Sequence, residues 1–135
     1  MLKPEKITEA HIFAFFFINY VDVCNDGIEV NELFKIMEKV ESKIKLLANE
    51  EKVDVIVWRT VQESMNWYLS LDMNGRHKLN IEFCDQLKLS LSEDQKFNFL
   101  DDLVEIGKAG PKIEQSEIEM IHKTAAHWEV QYDIA

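Results

Sequence analysis

Two short segments of the chain, residues 23–33 and 106–118, repeat one pattern 83 residues apart. Each segment follows an apolar run with helical spacing, turns at a glycine (Gly27 or Gly110), and has Val or Ile three residues after that glycine. Each also has an acidic residue where a further helix is expected to begin, and a carboxylate is favourable there because that end of the helix dipole is positive. The repetition predicts a helical bundle with two pseudo-symmetric helix–acidic loop–helix repeats.

The length and composition predict a single all-α domain covering residues 1–135. A chain of 135 residues suits one compact domain with one core. Only four Gly and two Pro are present, which is too few for an all-β protein with many tight turns. Hydrophobic residues at 47% and charged residues at 30% are ordinary values for a globular domain. We therefore expect a bundle of about six to seven helices.

Hydrophobic periodicity and capping residues predict where these helices lie. The first runs from Thr8 to about Val23, and Phe15 makes it apolar nearly all round, so it should lie centrally in the core. The second is expected to be capped by Asn31 and to bury Leu33, Phe34, Met37 and Val40. The later helices are expected at Glu51–Leu71, at Asn80–Ser90 after a polar turn at 72–78, from the capping box Ser92-x-x-Gln95 to Ile106, and at Gln115–Gln131.

The large aromatic residues of the later helices have two interpretations. Trp58, Trp67, Tyr68 and Trp128 occur at helical spacing, which is typical of core or core-rim residues. The bulk of such side chains at a helix edge would also suit a protein–protein hot spot.

The net charge limits the classes of partner that the chain is expected to bind. Fifteen Lys and Arg against 25 Asp and Glu give a formal charge of −10, which repels nucleic-acid phosphates and anionic lipid headgroups. We therefore expect no nucleic acid and no direct membrane insertion. Cations or a basic protein face would be attracted, and a protein partner is expected, with a homo-oligomer as a further option.

Cysteine usage and the first residues predict a cytoplasmic location. Cys24 and Cys84 are not in CxxC spacing and are interpreted as reduced, buried thiols. The N-terminal residues lack the apolar core of a signal peptide, and the apolar run at 12–18 is far shorter than the roughly 20 residues that span a bilayer.

The acidic loops hold the only cluster that suggests chemistry. Oxygen ligands on a glycine turn are what a hard divalent cation such as Ca²⁺ or Mg²⁺ requires. Carboxylates in the first turn of a helix are explained equally by the helix dipole, without a metal. Were the two loops to lie side by side, their carboxylates could form one patch dominated by the first loop, since Ala109 stands where that loop has Asp26. The candidate metal ligands are Asp22, Asp26, Glu29, Glu32, Glu114 and Glu117.

Other chemistry finds no support in the sequence. An EF-hand is excluded because the position of its bidentate Glu falls on Leu33 around the first loop and on Ile81 around Gly75. Glu119-x-x-His122 has the spacing of a di-iron half-motif, but no second E-x-x-H occurs. No residue neighbours either cysteine that would activate a thiol nucleophile. We therefore predict no catalytic residues, and no cofactor beyond the hypothetical cation.

The two repeated segments, extended to 20–32 and 103–117, resemble the tellurite-resistance TerB family. The resemblance lies in a helix that ends in an Ala-Asp-Gly-like turn, then a β-branched residue, then a helix that opens on Glu. It implies an all-helical bacterial domain with internal pseudo-symmetry and an acidic cluster that binds a divalent metal, linked to stress or tellurite resistance through protein contacts. Asp26 and Glu32 match the first signature and Glu117 the second.

These observations predict a non-enzymatic TerB-like interaction or scaffold module with a weak divalent-cation site on its acidic patch. An alternative is an acidic inhibitor or decoy that binds a basic partner through surface charge, and whose affinity would collapse at high salt. A small metal-dependent enzyme is a third option, which would require a His or thiol beside the carboxylates.

Overall fold

The computed structural model describes residues 3–25, 28–45, 53–110 and 112–134, and within them it contains six α-helices and no strand. The helices are α1 (Glu9–Asn25), α2 (Val30–Lys45), α3 (Val53–Ser70), α4 (Met73–Ser90), α5 (Glu93–Lys108) and α6 (Gln115–His127). The expected all-α helical bundle is confirmed. None of these helices is both long enough and apolar enough to cross a bilayer, a finding that concerns the described residues alone.

The first helix is the centre of the bundle, as its sequence predicted. α1 contacts each of the five other helices. The ring of Phe15 is fully buried, and its centroid lies 5.1 Å from that of Trp67 and 5.2 Å from that of Phe83. On another side of α1, Phe17 stacks on Phe99 with 5.0 Å between centroids. Aromatic pairs of this kind contribute roughly 0.5–1.5 kcal/mol beyond the burial of their area.

The start and the buried face of α2 differ from prediction. Asn31 does not cap this helix, because α2 already begins at Val30 and the carbonyl of Glu29 accepts the first helical hydrogen bond, from Leu33 N–H at 2.9 Å. Phe34 is 63% exposed, so its predicted burial is wrong. Val40 is buried as predicted, and Leu33 and Met37 are partly buried against the core. The residues of α2 that are buried recur every fourth position, which is one narrow helix face. They are Glu32, Ile36, Val40 and Ile44.

The segment interpreted as a polar turn belongs to α4. The helix begins at Met73, and the side chain of Asp72 accepts the N–H of Gly75 at 2.7 Å. Such an N-cap satisfies a donor that the first helical turn would otherwise leave unpaired. The predicted turn at 72–78 is therefore mostly helical.

The last two helices follow prediction more closely. The capping box of Ser92 and Gln95 is present at the start of α5, with both reciprocal hydrogen bonds formed. α6 begins at Gln115 as expected but ends at His127, four residues earlier than predicted. Trp128 follows at the C-cap position, is buried, and donates its indole N–H to the carbonyl of Cys84 at 3.0 Å.

Ion pairs tie α2 to α5. Lys39 lies 3.6 Å from a carboxylate oxygen of Asp102 and also pairs with Glu105, while Lys43 lies 3.4 Å from the other oxygen of Asp102. Asp102 is buried, and burial raises the pKa of its carboxyl while the two lysines oppose that shift. These contacts hold the helix that follows the first acidic loop against the helix that precedes the second.

Candidate functional site

The first acidic loop ends in a buried glutamate that caps its own helix. Glu32 lies in the first turn of α2 and is 1% exposed, although glutamate is rarely buried in proteins. Its Oε1 accepts the backbone N–H of Glu29 at 3.3 Å. This is the second half of a capping box, with Glu29 at the N-cap position.

The second acidic loop repeats this arrangement. Glu117 occupies the equivalent position in α6, is 0% exposed, and accepts the backbone N–H of Glu114 at 2.8 Å. The shared sequence is I-E-x-x-E, at residues 28–32 and 113–117, with a spacing of 85 rather than 83 residues. Aligning the two loops on their glycines conceals this match because the second loop has two more residues between its glycine and its glutamates.

The structure brings the two loops into contact. A Cβ atom on Gly110 would lie 3.5 Å from Oε2 of Glu29 and 3.7 Å from Oε2 of Glu32, so the second loop packs directly on the carboxylates of the first. Ser116, at the start of α6, donates its hydroxyl to the carbonyl of Cys24 near the end of α1 at 3.0 Å. Segments from opposite ends of the chain therefore meet at one place.

The two buried glutamates raise the pKa values of side chains on α1. Burial raises the pKa of the Cys24 thiol to about 11, and the negative charges of Glu117 and Glu32 add to that shift while the hydroxyl of Ser116 opposes it. The pKa of Tyr20 is also raised, first by burial and then by Glu117, Cys24 and Glu32. Two side chains of α1 thus experience carboxylates from α2 and α6 together.

The other two candidate metal ligands, Asp22 and Asp26, are not placed with these glutamates in the described part of the chain. Asp22 is placed against α3 and α4, where Oδ2 accepts the hydroxyl of Tyr68 at 2.6 Å and lies 3.7 Å from a guanidinium nitrogen of Arg76. Asp26 lies outside the described residues. The arrangement therefore groups Glu29 and Glu32 with the second loop and gives Asp22 partners of its own.

The carboxylates in the described residues do not by themselves make a metal centre. Among those residues, no three His, Cys, Asp or Glu side chains are placed so that they could hold one ion together. Each of the buried glutamates also uses one oxygen for a backbone N–H. A cation at this place would therefore need a ligand in addition to the side chains of the described residues.

Comparison with known proteins returned no relative. No family model, no curated protein and no solved structure matches the chain.

Two further features of this region were not predicted from the sequence. Tyr20 donates its hydroxyl to the carbonyl of Leu103 at 2.9 Å, which joins α1 to α5 just below the loops. The second feature is the setting of Asp22, which includes Asn19 of α1 and Arg76 of α4. The residues of both features come from distant parts of the chain, so no local pattern could have revealed them.

Proposed function

We propose that the chain is a non-enzymatic, TerB-like interaction or scaffold module, and that the paired acidic loops form its functional face. The observation that carries this proposal is the burial of two equivalent glutamates, Glu32 and Glu117, where two loops from opposite ends of the chain touch. Burying a carboxylate costs free energy unless hydrogen bonds and neighbouring charges compensate. In both copies the buried glutamate accepts a backbone N–H of its own loop, so the repeat fixes the shape of each loop beside the exposed Glu29 and Glu114.

A basic protein surface is the partner that this face would fit. The chain has a formal charge of −10, and Glu29 and Glu114 are exposed at the two loops. Val30 and Phe34 are exposed one turn apart on α2, next to Glu29. Apolar side chains beside carboxylates suit a partner that presents both basic and apolar groups, and charge complementarity would speed their encounter. The role in bacterial stress or tellurite resistance that the resemblance implies belongs to this proposal.

The cation hypothesis has a direct test by thermal melting. The protein would be melted in EDTA and then in millimolar Ca²⁺, Mg²⁺ or Mn²⁺. A ligand at 100 times its dissociation constant stabilises the folded state by about 2.7 kcal/mol. We expect Asp26→Ala to abolish the gain and the exposed control Glu119→Gln, on α6, to retain it. An unchanged midpoint in wild-type protein would remove the cation from the proposal.

The interaction role has a separate test by partner capture. The wild-type chain and the double variant Glu29→Gln/Glu114→Gln would each be used to capture proteins from the native host at low and moderate salt. We expect one stoichiometric partner that the wild type retains and the double variant loses, while Glu119→Gln still captures it. Equal capture by all three proteins would show that the acidic loops are not the binding face.

A further inference from the structure

A cleft between α1, α3 and α4 combines a polar floor with an apolar rim. It has a volume of about 560 Å³, and its lining residues include Asn19, Asp22, Val23, Tyr68, Met73 and Arg76. Val23 is 58% exposed and Met73 is 82% exposed, so the rim offers apolar surface to solvent. Binding sites for small molecules and peptides commonly share this combination of a few placed polar groups with apolar walls.

The guanidinium group of Arg76 is held in place without being fully used. Its Nε donates to the carbonyl of Tyr68 at 3.0 Å, and Nη2 donates to the carbonyl of Leu69 at 3.4 Å. The guanidinium also lies over the ring of Tyr68, 4.5 Å from its centroid. Because a guanidinium carries five N–H donors, this anchoring leaves others for a ligand. The nearest oxygen of Asp22, at 3.7 Å from Nη1, is beyond hydrogen-bond distance.

The side-chain amide of Asn19 is the second group that has a hydrogen-bonding atom to offer a ligand. Asn19 is 4% exposed and lines the cleft. Its one side-chain hydrogen bond among the described residues is the 3.3 Å contact with the hydroxyl of Tyr68, whose single proton is already engaged by Asp22 at 2.6 Å. Whichever way the amide is turned, one of its polar atoms has no partner in the described part of the chain. This atom is not shut off from solvent, so it is accessible from the cleft and can pair with a ligand there.

The charges in the cleft select the class of ligand. Asp22 and Arg76 balance each other, and His77, which also lines the cleft, adds no formal charge when it is neutral. Neither a cation nor an anion then finds a site of opposite net charge there. A free anion would also be repelled by the formal charge of −10. An uncharged group that both donates and accepts hydrogen bonds suits Asn19, Asp22 and Arg76 among the polar lining residues, and the peptide amide is such a group.

We infer that this cleft binds a short uncharged peptide segment of a partner protein, with a backbone amide on Asn19, Asp22 and Arg76 and a large apolar side chain against Val23 and Met73. The inference rests on the interaction role proposed above and assigns to it a second surface with its own residues. The acidic loops and this cleft are therefore expected to respond to different variants.

The test is an NMR titration of isotope-labelled protein with three tripeptides of one sequence, whose end groups give them different charges. The probes are acetyl-Ala-Leu-Ala-amide, which is neutral, acetyl-Ala-Leu-Ala, which is anionic, and Ala-Leu-Ala-amide, which is cationic. We expect the neutral probe to give saturable shifts of the Asn19 side-chain amide and the Arg76 Nε–H, and to bind at least fivefold more tightly than either charged probe. Equal responses to all three probes, or no saturable response to the neutral one, would overturn the inference.

Two variants and one control test whether the probe occupies the cleft. Met73→Ala should weaken binding of the neutral probe about fivefold by removing part of the apolar rim. Leu89→Ala is the matched control, because Leu89 lies on the same helix, is 88% exposed and does not line the cleft. Asn19→Leu should abolish binding of the neutral probe, since it removes the amide that lines the cleft. Equal weakening by Met73→Ala and Leu89→Ala would show that the probe does not occupy the cleft.

The titration separates this inference from the proposal for the loops. The double variant Glu29→Gln/Glu114→Gln should bind the neutral probe as the wild type does. If partner capture depends on the acidic loops while the neutral probe fails to bind, the cleft inference alone is wrong. If the probe binds, but the wild type and the double variant capture the partner equally well, the loop proposal is wrong and the cleft inference stands.

Discussion

The hydroxyl oxygen of Tyr20 lies 2.8 Å from the position that a Cβ atom on Gly107 would occupy. Gly107 sits inside α5, where alanine would ordinarily be favoured by about 1 kcal/mol. The hydroxyl uses the space above the glycine to reach the carbonyl of Leu103 at 2.9 Å. The missing side chain is therefore what allows α1 and α5 to approach closely beneath the acidic loops.

We predict that Gly107→Ala lowers the free energy of unfolding by about 1–2 kcal/mol, because overpacking of roughly 1–3 kcal/mol exceeds the gain in helix propensity. Tyr20→Phe alone should cost about 1 kcal/mol through the lost hydrogen bond. The double variant should be less destabilised than the sum of the two, since the phenyl ring no longer carries the oxygen that clashes. Urea unfolding of the four proteins measures this coupling, and simple additivity would contradict the proposed contact.

The start of α1 has a capping box in which histidine takes the usual place of Glu or Gln. The N–H of Thr8 donates to Nδ1 of His11 at 3.1 Å, so the ring proton lies on Nε2 and is donated to Glu63 at 3.0 Å. We predict that Thr8→Ala costs about 1 kcal/mol. His11→Gln should cost less than His11→Ala, because a glutamine oxygen can still accept the N–H of Thr8. Urea unfolding at neutral pH distinguishes them, and equal losses would argue against the cap.

The tryptophans divide into one exposed and two buried residues, so their roles should separate cleanly. Trp58 is 58% exposed, whereas Trp67 and Trp128 are each 2% exposed. We predict that Trp58→Ala changes the free energy of unfolding by less than about 0.5 kcal/mol. Trp67→Ala should cost about 3–5 kcal/mol as a core truncation. In acrylamide quenching, Trp58→Phe should remove the accessible part of the fluorescence, and an unchanged quenching curve would contradict the assignment.

Stability should fall at alkaline pH. The pKa of Cys24 and that of Cys84 are each raised to about 11 by burial, from 9.0 for a free thiol. Because the folded state keeps these protons longer than the unfolded state, their contribution is complete below pH 9 and is lost as the pH rises toward 11. Tyr20, Tyr68 and Tyr132, whose pKa values are also raised by burial, act in the same direction.

Denaturant unfolding across this pH range measures the effect. We expect the slope of unfolding free energy against pH to become shallower in Cys24→Ala and in Cys84→Ala, whatever the effect of each substitution on stability at neutral pH. Cys24 and Cys84 are half-buried rather than fully buried as the sequence predicted. A free energy of unfolding that stays constant from pH 9 to pH 11 would contradict even this partial burial of both thiols.

The sequence predicted those parts of the fold that depend on local patterns. The central position of α1 followed from Phe15, which completes an apolar surface around the helix. The start of α5 followed from Ser92 and Gln95, since a capping box is a local arrangement. In both cases the residues that decide the structure are within a few positions of one another.

Prediction failed where competing local signals were equally good. On α2, Leu33, Phe34, Met37 and Val40 form one apolar stripe and Ile36, Val40 and Ile44 another, and periodicity does not tell which one faces α1. The burial of Glu32 on the second stripe was unforeseen because glutamate is ordinarily a surface residue.

The acidic site could be predicted only in outline. The duplication identified the two loops, and Gly110 does lie against the carboxylates of Glu29 and Glu32. The sequence did not predict that Asp22 would accept a hydrogen bond from Tyr68 and lie beside Arg76, because both partners are more than forty residues away along the chain. Side-chain direction at the end of a helix depends on such distant partners, which one sequence does not reveal.

The position of α1 has a consequence for synthesis. This aromatic helix emerges from the ribosome about 90 residues ahead of α6, one of the helices that cover it. At translation rates of about 5–20 residues per second, the covering of α1 stays incomplete for roughly five to twenty seconds. During that interval part of this adhesive apolar surface stays accessible on the nascent chain, where a holdase chaperone would find a binding segment.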